Sequence, residues 1–200
     1  MFTETTSLGL DVHARSIVAA AIDGVTGEMI ERRFPNDPLA ICAFAAELSK
    51  VHGPLRVIYE AGPTGFELAR TLRDAGFHVL VAAPSKLLRP AGDRVKTDRR
   101  DAQLLARLDR AGDIVEVRIP TRSEESARDL VRARDDARRD LMASRHRLGK
   151  LLLRHGYAFP GKTTWGPTHD AWMREIRRDA LPAHGAGSVA AFDDGYDAVQ

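Results

Sequence analysis

A single cysteine, Cys42, stands among 200 residues. That excludes an internal disulfide and any zinc site built from several cysteines, and it fits a protein expected in the cytoplasm. Nowhere do about 18 apolar residues run together, so no membrane span is expected. The opening MFTETTSLGLDV has no basic stretch leading into a long apolar one, which argues against a signal peptide. The seven histidines show no metal-ligand spacing, and no segment repeats. Gly62 and Gly65 in AGPTG are a strand-to-helix turn, too little for a phosphate-binding loop.

What is present can fold. At 44% hydrophobic and 29% charged residues, the chain can bury a core, as one domain or one domain with an appendage. The net charge of +2 hides a division. Lys86 to Arg154 carries 19 Lys and Arg against 12 Asp and Glu, a net +7, and the remainder carries −5. Such segregation points to an anionic partner for the middle of the chain, or to a merely solvated helical surface.

Leu8 to Val12, Ser16 to Asp23 and the EMIERRF stretch read as three strands joined by short turns, GVTG among them. Asn36-Asp37-Pro38 reads as a helix start with a capping side chain before the proline, and Ala40, Ile41, Phe44, Ala45 and Leu48 follow at helical spacing. RVIYE (56–60) is a fourth strand. Thr64 and Glu67 read as a capping box for the helix after it. HVLVAA (78–83) is a fifth strand, then a basic connector, then a helix from about Thr97. The order βββαβαβα predicts an α/β fold with a mixed five-stranded sheet and flanking helices over residues 1–120.

From Thr121 the character changes, with neither glycine nor proline before Gly149. Leu130, Ala133, Ala137, Leu141, Ser144, Leu148 and Leu151 form a narrow seam on a long, arginine-rich helix. A short helix is expected around Asp170 to Arg178. Residues 121–180 thus form a helical extension, and 181–200 a weakly patterned tail or the start of a further region.

Four carboxylates lack an easy structural explanation. Asp11 interrupts a strand otherwise written for burial, where a lone charge is unfavourable. Glu60 closes the fourth strand without a local role. Asp98 and Asp101, three apart in VKTDRRDAQLLARL, share one helix face. In this strand order the first and fourth strands are commonly central neighbours, so the four acids can converge. Together they would repel and raise one another's pKa values unless a cation neutralised them, and hard oxygen ligands select Mg²⁺, or Mn²⁺ in its place. Separately, Asp98 and Asp101 read as a helix cap and a dipole partner, Asp11 as a hydrogen-bonded core acid and Glu60 as a loop acid.

LGLDVH, YEAGPTG and KTDRRDA, in this order, resemble the DEDD transposases of bacterial insertion sequences (insertion-sequence family 110), and LLLRHGYAFPGKTTW resembles the segment closing that family's N-terminal domain. The similarity covers roughly Leu8 to Arg178. It implies a RuvC-like, RNase H-type fold, Mg²⁺-dependent DNA cleavage and rejoining, and DNA recognition through a structured guide RNA. The family's four acids fall on Asp11, Glu60, Asp98 and Asp101. The resemblance also implies a further C-terminal domain bearing a nucleophilic serine. Nothing up to Gln200 matches that domain, no serine is nominated, and a complete recombination reaction by this chain alone is not expected.

Lys86, Arg89, Arg94, Lys96, Arg99 and Arg100 beside the proposed metals, with Arg138 and Arg145 on the long helix, are candidate nucleic-acid contacts. The helical seam suits a homo-oligomer, or packing on its own domain. Tyr157, Phe159 and Trp165 suit base stacking or core packing. His13, two residues after Asp11, could adjust the site's protonation, although a strand-end histidine usually has no such role. Two other functions stay open: a stand-alone nuclease of the Holliday-junction type using the same acids, and a catalytically silent module for nucleic-acid binding or oligomerisation.

Overall fold

A computed structural model describes residues 4–87 and 97–200. The chain forms two compact units, Met1–Thr121 and Arg122–Gln200. In the first, β1 (Thr6–Val12), β2 (Ser16–Ile22) and β3 (Met29–Pro35) make an antiparallel meander. The chain then crosses to β4 (Leu55–Glu60), parallel to β1, and to β5 (His78–Ala82), parallel to β4. The sheet order β3-β2-β1-β4-β5 puts β1 and β4 side by side, as the strand order predicts.

Alternation along β1 decides what each face does. Leu8 and Leu10 are fully buried in a core shared with Ile41, Phe44 and Leu48 of α1 (Pro38–His52) and Leu68 and Leu72 of α2 (Glu67–Asp74). Ser7, Gly9 and Asp11 point to the other face, covered by α3 (Asp98–Ala111). There the helix backbone lies directly on the strand. A Cβ at Gly9 would stand 2.1 Å from the Ala102 carbonyl oxygen and 2.7 Å from the Ala106 nitrogen. Only glycine opposite a pair of alanines lets strand and helix come so close.

Helix starts follow local chemistry. Asp37 caps α1, its carboxylate accepting from the Leu39 N–H at 2.9 Å. The expected Thr64–Glu67 capping box does not form. Gly65 adopts a left-handed φ of 71° and closes a turn onto the Gly62 carbonyl, so α2 begins only at Glu67, with Phe66 at the cap position and no side-chain cap bond.

The second unit contains α4 (Arg122–Arg154), α5 (Pro167–Asp179), a 3₁₀ turn (Leu181–His184) and α6 (Ala186–Asp197). Residues 181–200, weakly patterned in sequence, thus contain a 3₁₀ turn and a helix. Val189, Phe192, Tyr196 and Val199 recur at helical spacing beneath the Gly/Ala-rich composition, and they pack on Leu148, Leu152 and Met173. Tyr157 and Trp165 join the same cluster, and the Phe159 ring meets His169 edge-on at 4.7 Å. These aromatics are packing residues. No helix among the described residues is long and apolar enough to cross a membrane.

His169 is buried among Phe159, Trp165 and Trp172, and its Nδ1 has no hydrogen-bond partner among the described residues. Burial pushes its pKa below the ordinary value, against the weaker pull of Asp170. The unfolded chain then binds more protons, so stability falls as pH drops through the unfolded histidine value of about 6.5. Trp165 and Trp172 are the two tryptophans of the chain, so fluorescence melting reports on this unit. The melting temperature should be a few degrees lower at about pH 5.5 than at about pH 7.5, and His169→Phe should flatten the difference.

Candidate metal centre

The site is assembled at the end of β1 and the start of α3. Thr97 is the N-cap of α3, its hydroxyl accepting from the Arg100 N–H at 3.3 Å. Asp98 is thereby released from capping and becomes the first helical residue. Both Asp98 and Asp101 lie in the first turn, where the helix dipole favours negative charge. Asp11 is the penultimate residue of β1 on the face that α3 covers.

Asp11, His13 and Asp98 each offer a ligand atom, and these atoms lie within 4.8 Å of one another. His13 Nε2 is 2.9 Å from Asp11 Oδ2 and 3.4 Å from Asp98 Oδ1. Arg33, from β3, approaches Asp98 Oδ2 at 3.7 Å and donates to the Ser16 hydroxyl at 3.1 Å. Glu60 and Asp101 are not members of the three-ligand group. The register Leu10–Tyr59 nevertheless puts Glu60 beside Asp11 at the matching end of the neighbouring strand. Asp101 is near enough to act on Asp11 electrostatically. Among the described residues, then, Asp11 and Asp98 share one ligand group, Asp101 is within electrostatic reach of Asp11, and Glu60 lies at the matching end of the neighbouring strand.

Burial foremost pushes the Asp11 carboxyl above its ordinary pKa. His13 opposes this through charge and hydrogen bonding, and Asp101 and Asp98 add repulsion. Desolvated carboxylate with like charges nearby is an environment that a divalent cation would relieve. The donor set of two carboxylates and an imidazole fits a hard to borderline ion of the Mg²⁺ or Mn²⁺ class.

A groove of about 580 Å³, lined by Val18, Glu31, Arg32, Arg33, Thr97, Asp98 and Arg99, opens beside these acids. Arg99 is held by Glu31 at 2.5 Å, and Gln103 donates to the same carboxylate, so Arg99 balances β3 rather than the predicted metal ligands. Arg100 and Lys86 are exposed. Arg89, Arg94 and Lys96 lie outside the described residues. In the second unit Arg138 is exposed, whereas Arg145 is partly buried with its guanidinium 5.0 Å over the Trp165 ring. Other α4 arginines pair within the helix, Arg132 with Asp129 and Arg139 with Asp136.

Sequence reasoning weighed His13 but favoured a residue without a role, and it missed Arg33. The H in LGLDVH sits where chain leaves strand and carries no periodic signal. Arg33 reaches the acids only because β3 lies two strands away on the same sheet.

The chain is 39% identical over 183 residues to a putative transposase, y4qE, of Sinorhizobium fredii, covering 88% of this chain and 46% of that protein. It is 34% identical over 172 residues to the transposase for insertion sequence element IS1533 of Leptospira borgpetersenii, covering 84% of this chain and 50% of that one. The chain thus spans about half the length of these curated relatives. A family model of DEDD transposases, described as a transposase, matches residues 8–156. On that match, across an RNase H-like sheet bearing its acids at the strand ends, the chain belongs to the IS110 family of DEDD transposases.

Proposed function

We propose that this chain is the metal-binding, nucleic-acid-contacting part of a DNA transposase, with Asp11, Glu60, Asp98 and Asp101 as its acidic set and His13 as an added ligand or hydrogen-bond partner. The convergence of Asp11, His13 and Asp98 within 4.8 Å carries the reading. A bound Mg²⁺ or Mn²⁺ would supply charge neutralisation and activation of an attacking oxygen in phosphodiester chemistry. The protein's own contribution is positional. β1 and α3 fix Asp11 against Asp98, His13 orients both, and Arg33 at the groove offers a cation to a phosphate. Lys86, Arg89, Arg94, Lys96, Arg99, Arg100, Arg138 and Arg145 are the further candidate contacts to DNA or a guide RNA. Arg99 and Arg145 would first have to leave Glu31 and Trp165. The test is nicking of insertion-end and branched DNA in Mg²⁺, wild type against Asp98→Asn. Metal-dependent cleavage lost in the variant supports the reading. Nucleic-acid binding without cleavage, unchanged by the variant, would instead favour a silent binding module.

Self-association through α4 belongs to the same proposal. Of its 33 residues, the buried ones, Ser144, Leu148, Leu151 and Leu152, all lie in the C-terminal part, while Leu130 is 73% exposed on the seam. A helix roughly 50 Å long with half an apolar seam uncovered fits pairing with a second copy. Leu130→Glu is expected to shift the sedimentation equilibrium towards monomer by tenfold or more in dissociation constant. An unchanged monomer for the wild type would contradict it.

A further inference from the structure

At the far end of α3 from the acids lies a buried charge that the metal site does not use. Asp109 is 2% exposed. Its Oδ1 accepts from Arg56 Nε at 2.6 Å and its Oδ2 from the Ser7 hydroxyl at 2.5 Å. Its main-chain oxygen accepts from Arg56 Nη2 at 3.3 Å. Three elements meet in this one carboxylate, and they are the three that carry the acids. Ser7 is on β1 with Asp11, Arg56 on β4 with Glu60, and Asp109 on α3 with Asp98 and Asp101.

The spacing is coherent. Ser7 and Asp11 share one face of β1, and Arg56 and Glu60 share one face of β4, with Ser7 and Arg56 paired in register. Asp98, Ala102, Leu105 and Asp109 follow at helical intervals along the underside of α3. Four strand residues advance about 13 Å and eleven helical residues about 16 Å, so fixing Asp109 over Ser7 sets Asp98 over the end of β1. Between the two ends the contact is Gly9 under Ala102 and Ala106, close but without direction. Smooth apolar packing tolerates sliding and rotation. A carboxylate taking directed bonds from two strands does not.

Net stability gives little reason for such a group, because a buried ion pair is commonly matched or bettered by apolar residues of similar volume. We infer that the Ser7–Asp109–Arg56 triad is a positioning clamp that fixes the register of α3 on β1 and β4, and so the separation of Asp98 and Asp101 from Asp11 and Glu60. Asp109 and Arg56 are positioning residues and touch no substrate. The inference rests on the metal-site reading for its functional consequence and on geometry alone for the clamp itself.

The experiment uses the full chain and two readouts, Mn²⁺ affinity and the nuclear Overhauser contacts between the Gly9 Hα protons and Ala102 and Ala106. Asp109→Asn is compared with wild type and with Leu48→Ala, a core truncation on the opposite face of the sheet. Ser7→Ala, which keeps the ion pair, is the milder variant should Asp109→Asn not fold. The clamp variants are expected to weaken the Gly9 contacts and to raise the Mn²⁺ dissociation constant tenfold or more. Leu48→Ala should lose thermal stability with affinity within twofold of wild type. A clamp variant that melts earlier yet keeps both the contacts and the affinity would overturn the inference, leaving the triad as ordinary core. If wild type binds no Mn²⁺, the metal-site reading falls. The Gly9 contacts then decide the clamp alone: loss upholds it and retention overturns it.

Discussion

Replacing Gly9 by alanine should destabilise the first unit by roughly 3 kcal/mol or more, a drop in melting temperature on the order of 10 °C. The usual expectation has the opposite sign. Alanine at a strand glycine restricts the unfolded chain and tends to stabilise where the native conformation allows it. Here the added Cβ would sit 2.1 Å from the Ala102 carbonyl oxygen. That neighbour is helix backbone, which cannot rotate away as a side chain can. The strand must bend or α3 must lift, and lifting α3 withdraws Asp98 and Asp101 from Asp11. Thermal melting by circular dichroism measures the stability term, and metal binding by the folded fraction measures the second. A Gly9→Ala protein that melts like wild type would show that α3 does not lie directly on β1.

Asp11→Asn should separate stability from function. Burial raises the Asp11 carboxyl's pKa above its ordinary value despite the help of His13. The folded state therefore holds its proton more tightly than the unfolded chain, so stability falls as pH rises through the window above the unfolded value of about 3.9. At neutral pH the wild type carries that cost, and asparagine, similar in shape and uncharged, does not. The variant is expected to melt at or above the wild-type temperature near neutrality in the absence of divalent ions, with the difference vanishing below about pH 3.5. With millimolar Mn²⁺ the order should reverse, because a ligand bound only by the native wild type stabilises it by mass action. Losing one carboxylate ligand should weaken binding by 100-fold or so, at the upper end of what outer-shell changes cause. Melting curves with and without Mn²⁺, at two pH values, decide it. A variant that is less stable under every condition would mean that Asp11 is an ordinary structural acid.

Much of this arrangement was legible in the residues, for reasons that can be named. LGLDV and RVIYE are short apolar runs broken by one acid each, and the order of three hairpin-joined strands before the first helix made β1 and β4 neighbours. Thr97, and not Asp98, holds the helix start, which leaves Asp98 without a capping role. Other features were illegible because they depend on distance across the sheet. His13 belongs to no periodic pattern, Arg33 reaches Asp98 from two strands away, and Glu31 intercepts Arg99 before it can face the acids. The α6 helix was hidden by composition, since glycine and alanine dilute the spacing of Val189, Phe192 and Tyr196. Asp109 carries no distinguishing signal in the sequence, and only the fold reveals it beneath the helix against Ser7 and Arg56.

The central claim is that acids far apart in sequence share one divalent cation. Calorimetric titration of Mn²⁺ into the purified chain, wild type against Asp11→Ala and Asp98→Ala, tests it most directly. A saturable site in the wild type should disappear in both variants while each stays folded. Wild-type protein that is folded yet binds no Mn²⁺ at millimolar concentration, or binding that survives either substitution, would contradict it.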